Sequence, residues 1–472
     1  MGKSAAIALA LALAGCTLTP PHQRPALPTA PTYPAEASAA VTGPRATEIA
    51  WRSFFADPRL QTTLEQALRN NRDLRAAVLR IEEARAQYRI QRADQLPNVA
   101  ASGSAARTRT NLGTLSAGAS TTPQSDTSLT INRYDVSVGV SAFELDFWGR
   151  VRSLSEAARA NYLATVQAQR AFQISLVADV ADAYLTLREL DERIRLAERT
   201  VRTRAGALEI ARLRLEAGVT SALDFRQTEV LLTQAQTELA ALSQQRAQTR
   251  NTLELLVGGP LPADLPAPLP LTQQGIVENI APGLPSELLI NRPDILQAEE
   301  QLRAAGANIG AARAAFFPQI SLTGLLGFAS TSLDDLFDGD AFTWSVGPNL
   351  SLPIFDAGRN RGNLDLAVVR RDISVANYER TVQTAFREVA DALAGRRFLA
   401  DQLDAQRRAL AAQRDRAELA DLRYRNGVAS YLEVLDAERE LFAAEQAVVQ
   451  TRRQQLSNAV ALYAALGGGL RT

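Results

Sequence analysis

The 472-residue sequence predicts an internally duplicated α+β chain, each copy joining two strands to helices too long for a compact globule. Three observations predict it. Residues 213–223 (LRLEAGVTSAL) recur as 422–432 (LRYRNGVASYL), with six of eleven positions identical at a spacing of 209. Arg150–Ala217 and Arg359–Asn426 are long stretches without proline, and in the first of them apolar residues recur at steps of three and four. Tyr134–Leu145 and Phe342–Ile354 instead alternate apolar and polar side chains with period two.

The spacing of 209 also carries Gly149-Arg150 onto Gly358-Arg359 and Gly258-Gly259 onto Gly467-Gly468. Earlier in each copy the spacing is 221, from Leu96-Pro97-Asn98 to Phe317-Pro318-Gln319. The difference of 12 places an insertion, expected as a surface loop, between Thr108 and Arg133. Each copy then reads in one order: a helix (Leu60–Gln95, Glu287–Ala315), a strand (Asn98–Arg107, Gln319–Ala329), a polar loop and a second strand. A very long helix, a glycine turn and a last helix (Ala222–Val257, Tyr431–Leu466) complete the copy. In the first long helix the seam runs through Phe172, Leu176, Val180, Ala183, Leu187, Leu190, Ile194, Ala197 and Val201. At 1.5 Å per residue such a helix is about 100 Å long.

Residues 1–15 have the form of a signal peptide: Lys3, then an apolar run from Ala5 to Ala14 too short to span a bilayer. Leu13-Ala14-Gly15-Cys16 resembles the bacterial lipobox, which implies acylation of Cys16, cleavage before it and, with Thr17 rather than Asp next, delivery to the outer membrane. Seven prolines between Pro20 and Pro44 mark residues 16–57 as an extended, lipid-anchored tether. Seven more between Pro260 and Pro285 mark 260–286 as the segment joining repeat 1 (58–259) to repeat 2 (287–472).

Composition narrows the function. Cys16 is the only cysteine, which excludes an internal disulfide and cysteine-rich metal sites, and His22, in the tether, is the only histidine, so a histidine-based catalytic or metal site is not expected. Fifty-one basic residues balance fifty-one acidic ones, which gives no case for a nucleic-acid partner. The expectation is of a protein that is no enzyme, with no catalytic residue, cofactor or metal.

The strands fit a membrane barrel. Trp344, Val346, Pro348, Leu350 and Leu352 alternate with Ser345, Gly347, Asn349 and Ser351; Tyr134, Val136, Val138, Val140 and Ala142 alternate with Asp135, Ser137, Gly139 and Ser141. That is the pattern of strands facing lipid on one side and a polar lumen on the other. Four strands cannot close around a lumen, and an open edge in lipid leaves backbone groups unpaired. A shared barrel is therefore expected: eight strands from two chains, or twelve, enough for a channel, from three.

The lipobox, the twofold repeat and the strand–strand–long-helix order resemble the TolC-type outer membrane factors of efflux and type I secretion systems. The resemblance covers 17–470 and is carried best by Gly149-Arg150, Phe355-Asp356-Ala357-Gly358-Arg359 and RNGVASYLEVLDAERELF at 425–442. It implies a homotrimer with a shared 12-stranded transmembrane β-barrel, a long α-helical barrel reaching into the periplasm and an equatorial belt. The function it implies is a passive, gated export duct working with a periplasmic adaptor and an inner-membrane RND-type transporter; a secretion channel is the alternative, a periplasmic adaptor lipoprotein a more remote one. By the same resemblance Asp224, Tyr424, Glu433 and Asp436 form the periplasmic gate, Tyr424 bonding Asp224 and the other two ringing the entrance, where neighbouring carboxylates would favour cations. Ala429 stands where some members carry a basic residue. Gly218, Val219, Gly427 and Val428 form the tips that meet the adaptor. The cargo is not legible.

Overall fold

The structure, a computed structural model, describes residues 17–34, 43–111 and 128–471. Cys16, the signal segment and most of the expected insertion lie outside the described residues. Repeat 1 comprises α1 (Trp51–Phe54), α2 (Pro58–Asn70), α3 (Arg72–Ala93), β1 (Val99–Asn111), β2 (Ser128–Glu144), α4 (Arg150–Glu216) and α5 (Ala222–Val257). Repeat 2 comprises α6 (Leu288–Asn291), α7 (Pro293–Ala314), β3 (Gln319–Ser330), β4 (Phe342–Ser351), α8 (Arg359–Arg425) and α9 (Tyr431–Ala465). Among the described residues no helix is long and apolar enough to cross a membrane. The chain divides into two compact units: one takes the residues up to Arg24 with Glu82–Leu163 and Glu300–Ala376, the other Pro25–Ile81, Ala164–Glu299 and Asn377–Thr472.

In the first unit the strands form one antiparallel sheet in the order β1-β2-β3-β4. Its register gathers the apolar positions on one face. Ala101, Val138, Leu326 and Trp344 form one row, and Gly103, Val136, Phe328 and Phe342 another. The opposite face is polar where Ser102 meets Ser137, their hydroxyls 3.0 Å apart, and where Ser104 meets Asp135. Within the chain, β1 and β4 each keep one unpaired edge. Two details depart from the simple alternation. β2 begins at Ser128, so Tyr134 lies inside the strand rather than at its end. Between Val140 and Phe143 one extra residue bulges out, and Ala142 takes a φ of 53°. Phe143, not Ala142, therefore faces Leu322 on the apolar side, and the Ala142 N–H is donated to the Thr323 hydroxyl at 3.2 Å. Where strands hand over to helices, Trp148 stacks on Phe317 at 4.7 Å and donates its indole N–H to the Pro318 carbonyl at 2.9 Å.

The leader packs against the same unit. The Thr19 and Ser153 hydroxyls lie 3.0 Å apart, and Arg313 donates to the Leu18 carbonyl at 3.1 Å. Gly310 on α7 makes this passage possible: a Cβ there would stand 2.2 Å from the Thr19 hydroxyl and 2.9 Å from its Cα.

The second unit holds the main core. Trp51, Phe54, Phe55, Leu60 and Leu64 pack with Tyr184 and Leu185 of α4, Leu253 of α5, Tyr378 and Val382 of α8, and Leu456 and Tyr463 of α9. Phe54 and Tyr463 stack with centroids 4.0 Å apart, and Tyr184 donates to buried Asp57 at 2.6 Å. The leader contributes Tyr33, buried against Phe386. In the seam of α4, Leu176, Val180, Leu187, Leu190 and Ala197 are buried as expected, but so are Val177, Ala181 and Leu185. At that level the helix is enclosed over an arc wider than one stripe.

Each first helix is interrupted where the sequence predicts a continuous one. The breaks fall at Asn71 and Arg292, the same 221 residues apart as the flanking motif. Chemistry differs between the copies. Asn71 leaves the helix, caps α3 by accepting the Leu74 N–H at 2.7 Å, and donates to the Leu256 carbonyl at 2.8 Å. Arg292 precedes Pro293, whose ring excludes helical backbone at the preceding residue.

Candidate functional site

The two glycine turns, both in the second unit, are built alike. In the first, the Val219 N–H bonds the Arg214 carbonyl and the Gly218 N–H the Leu215 carbonyl; in the second, Val428 and Gly427 do the same to Arg423 and Tyr424. This double closure ends a helix on a left-handed residue, and Gly218 and Gly427 take φ of 71° and 74°. Val219 and Val428 are left exposed, as are Leu223 and Leu432 four residues on. Each tip thus presents an apolar pair. The two leucines are equivalent across the repeat and close the motif LRLEAGVTSAL/LRYRNGVASYL, where their repetition could have flagged them.

Beyond the turns the copies diverge. Ser221 caps α5, and Asp224 returns the favour: its carboxylate accepts from the Ser221 hydroxyl at 2.8 Å, the Thr220 hydroxyl at 3.0 Å and the Ser221 N–H at 3.3 Å. These bonds, with Arg214 nearby, hold the Asp224 carboxyl below its ordinary pKa. The cap is therefore intact at neutral pH and is lost only as pH falls through that lowered value. In the second copy Ser430 makes no side-chain cap, and Glu433 pairs instead with Arg423 at 3.1 Å.

The resemblance implies a bond from Tyr424 to Asp224; within the single chain Tyr424 bonds Arg214 instead, and Asp224 bonds Ser221 and Thr220. The Tyr424 hydroxyl accepts from Arg214, whose guanidinium also lies over the ring, 5.5 Å from the centroid. This contact ties α4 of the first repeat to α8 of the second. Tyr424 packs on Tyr431 at 4.9 Å, and burial pushes the Tyr431 hydroxyl up to about 12. Arg214 was missed at the sequence level, although it and Arg423 are the equivalent arginines of the repeated LR pair.

Asp436 is held by Arg416 at 2.7 Å and by Arg439. Arg439 also reaches Glu440 at 3.1 Å. The three acids of this strip thus face three arginines within one chain, so its charge is largely neutralised before any second copy approaches. At this exposure each pair contributes no more than about 1 kcal/mol.

A family model described as "Outer membrane efflux protein" matches residues 63–259 and 284–468. The probable efflux pump outer membrane protein TtgC of Pseudomonas putida is 45% identical over 463 residues, covering 98% of this chain and 94% of TtgC. The cation efflux system protein CusC of Escherichia coli is 41% identical over 463 residues, covering 98% and 97%. Among solved structures, the open state of the Neisseria gonorrhoeae MtrE outer membrane channel superposes with a TM-score of 0.87 at 41% identity, covering 97% of this chain and 99% of that one.

Proposed function

The chain belongs to the outer membrane efflux protein family, and from that premise we propose that three copies assemble into the passive, gated export duct of a tripartite efflux pump. The observation that carries the proposal is the four-stranded sheet, apolar on one face and unpaired at both edges. In a bilayer those edges need partners. Joining β4 of one copy to β1 of the next closes twelve strands around a lumen. The long helices continue the duct into the periplasm, the apolar tip pairs at Val219/Leu223 and Val428/Leu432 dock a periplasmic adaptor, and an RND-type transporter in the inner membrane supplies the drive. Such a duct requires no catalytic group.

The gate we assign to the tip region: Asp224, Tyr424, Glu433 and Asp436, with Arg214 as the residue that fastens the first hairpin to the second. Arg214 offsets the absence of a basic residue at Ala429. Outer-membrane fractions run without heating are expected to give a band of three times the monomer mass that collapses to monomer on boiling. A dimer-sized or heat-insensitive band defeats the twelve-stranded barrel.

Cys16 supplies the lipid anchor in this proposal, and the docked Leu18 and Thr19 would hold it close to the first unit. Palmitate labelling is expected in the native protein and absent in Cys16→Ser; label retained by the mutant refutes the assignment.

A further inference from the structure

A cleft of about 410 Å³ opens between α4 and α5 in the second unit, away from the tips. Arg188, Asp191, Arg195 and Glu198 line it from one face of α4 at helical spacing, Arg246 faces them from α5, and Ile194 and Pro268 supply apolar walls. Its charges do not balance. Asp191 is shared between Arg188 and Arg246, at 2.5 Å from each. Among the described residues Arg195 has no ion-pair or hydrogen-bond partner, and Glu198 is the only other carboxylate of the lining. Arg188 has 8% of its side chain exposed, and its Nε, sealed from solvent, makes no hydrogen bond.

The surroundings add to the surplus. Burial lowers the Arg188 pKa, the Asp191 carboxylate offsets part of that, and Arg59 and Arg246 add like charge. Arg59 itself donates to the Pro266 carbonyl at 2.9 Å in the inter-repeat segment that roofs this region. Three guanidiniums facing two carboxylates leave this open cleft with a net positive charge, Arg188 buried at its base and Arg195, Glu198 and Arg246 exposed.

We infer that this cleft is a binding site for a small oxyanion, a carboxylate or a phosphate, held by Arg195 and Arg246 at its mouth above the buried Arg188. A guanidinium fork matches both anions in geometry. Both walls belong to one chain, so the site is complete without assembly. It is also independent of the gate, since none of its residues lies at the tips.

The test uses the full-length protein in detergent, titrated with sodium phosphate or with the peptide N-acetyl-alanyl-glutamate, each against sodium chloride of matched ionic strength. A saturable rise in unfolding temperature is expected with one or both anions, and the stronger of the two identifies the source. Arg195→Gln removes no existing ion pair, so it should unfold at the native temperature without anion and bind at least tenfold more weakly. Phosphorus-31 line broadening that disappears in the variant gives a second readout for the phosphate arm. A response no greater than that to chloride, or one equal in native protein and variant, overturns the site.

Discussion

Arg214→Ala is expected to raise the passive conductance of the channel in planar bilayers by one or more orders of magnitude. The side chain makes a charge-assisted hydrogen bond to the Tyr424 hydroxyl and lies over the tyrosine ring. A hydrogen bond to a charged group is worth about 1.5–3 kcal/mol, and the cation–ring contact adds about 0.5–1. If the proposed trimer is held closed by three such latches that yield together, its closed state loses about 6 kcal/mol at the lower bounds of the two terms, more than a thousandfold in the closed-to-open ratio. Tyr424→Phe keeps the ring and loses only the hydroxyl, so its increase should be smaller. Asp224→Ala acts differently, because Asp224 is turned onto its own helix end; the loss of a cap, about 1 kcal/mol, is local to that turn. The ordering Arg214→Ala above Tyr424→Phe above Asp224→Ala is the measurable signature. An Arg214→Ala channel that conducts like the native one removes Arg214 from the gate.

The largest loss of stability is expected from Arg292→Ala. Arg292 is nearly buried at the break before α7, where it donates to Asp294 at 3.0 and 2.6 Å, to Glu388 on α8 at 2.7 Å and to the Ala465 carbonyl at the end of α9 at 3.1 Å. Burial alone would depress its pKa, but the Asp294 and Glu388 carboxylates outweigh that and hold it above the ordinary value. Alanine leaves two carboxylates and a carbonyl without their donor. Asp294 and Glu388 are 33% and 40% exposed, so water takes over part of their solvation, and losing these charged hydrogen bonds costs about 1.5–3 kcal/mol. The unfolding temperature of the detergent-solubilised protein should fall by a few degrees, and Arg292→Lys should recover only part of it, since an ammonium cannot reproduce the fork. A shift within a degree of native would show that this network contributes little.

What was legible in the sequence was whatever depends on period or repetition. The long helices end within a residue of where proline-free apolar spacing ends, and α5 begins and ends where expected. The strands appear in the predicted order because alternation reports two different faces. Features set by one contact at long range were not legible. The break at Asn71 depends on Leu256, 185 residues away, accepting its amide. The bulge that turns Ala142 out of the apolar face depends on Thr323 taking a freed N–H. At the tips, spacing alone could rank Asp224 and Glu433 as equivalents, and they are, in position. Their partners differ: Asp224 closes on its own helix end, Glu433 pairs with Arg423, and Arg214, the equivalent of Arg423, is drawn across to Tyr424.

That divergence has a consequence for symmetry. Duplication makes a trimer look like six equal hairpins, yet one hairpin of each chain is closed by a reciprocal serine–aspartate cap and the other by an arginine–glutamate pair. In the proposed trimer the rim of the duct is then a triangle of two alternating kinds of seat rather than a hexagon. A partner that meets all six positions must do so in two non-equivalent ways, or bind as three pairs whose members have divided the work.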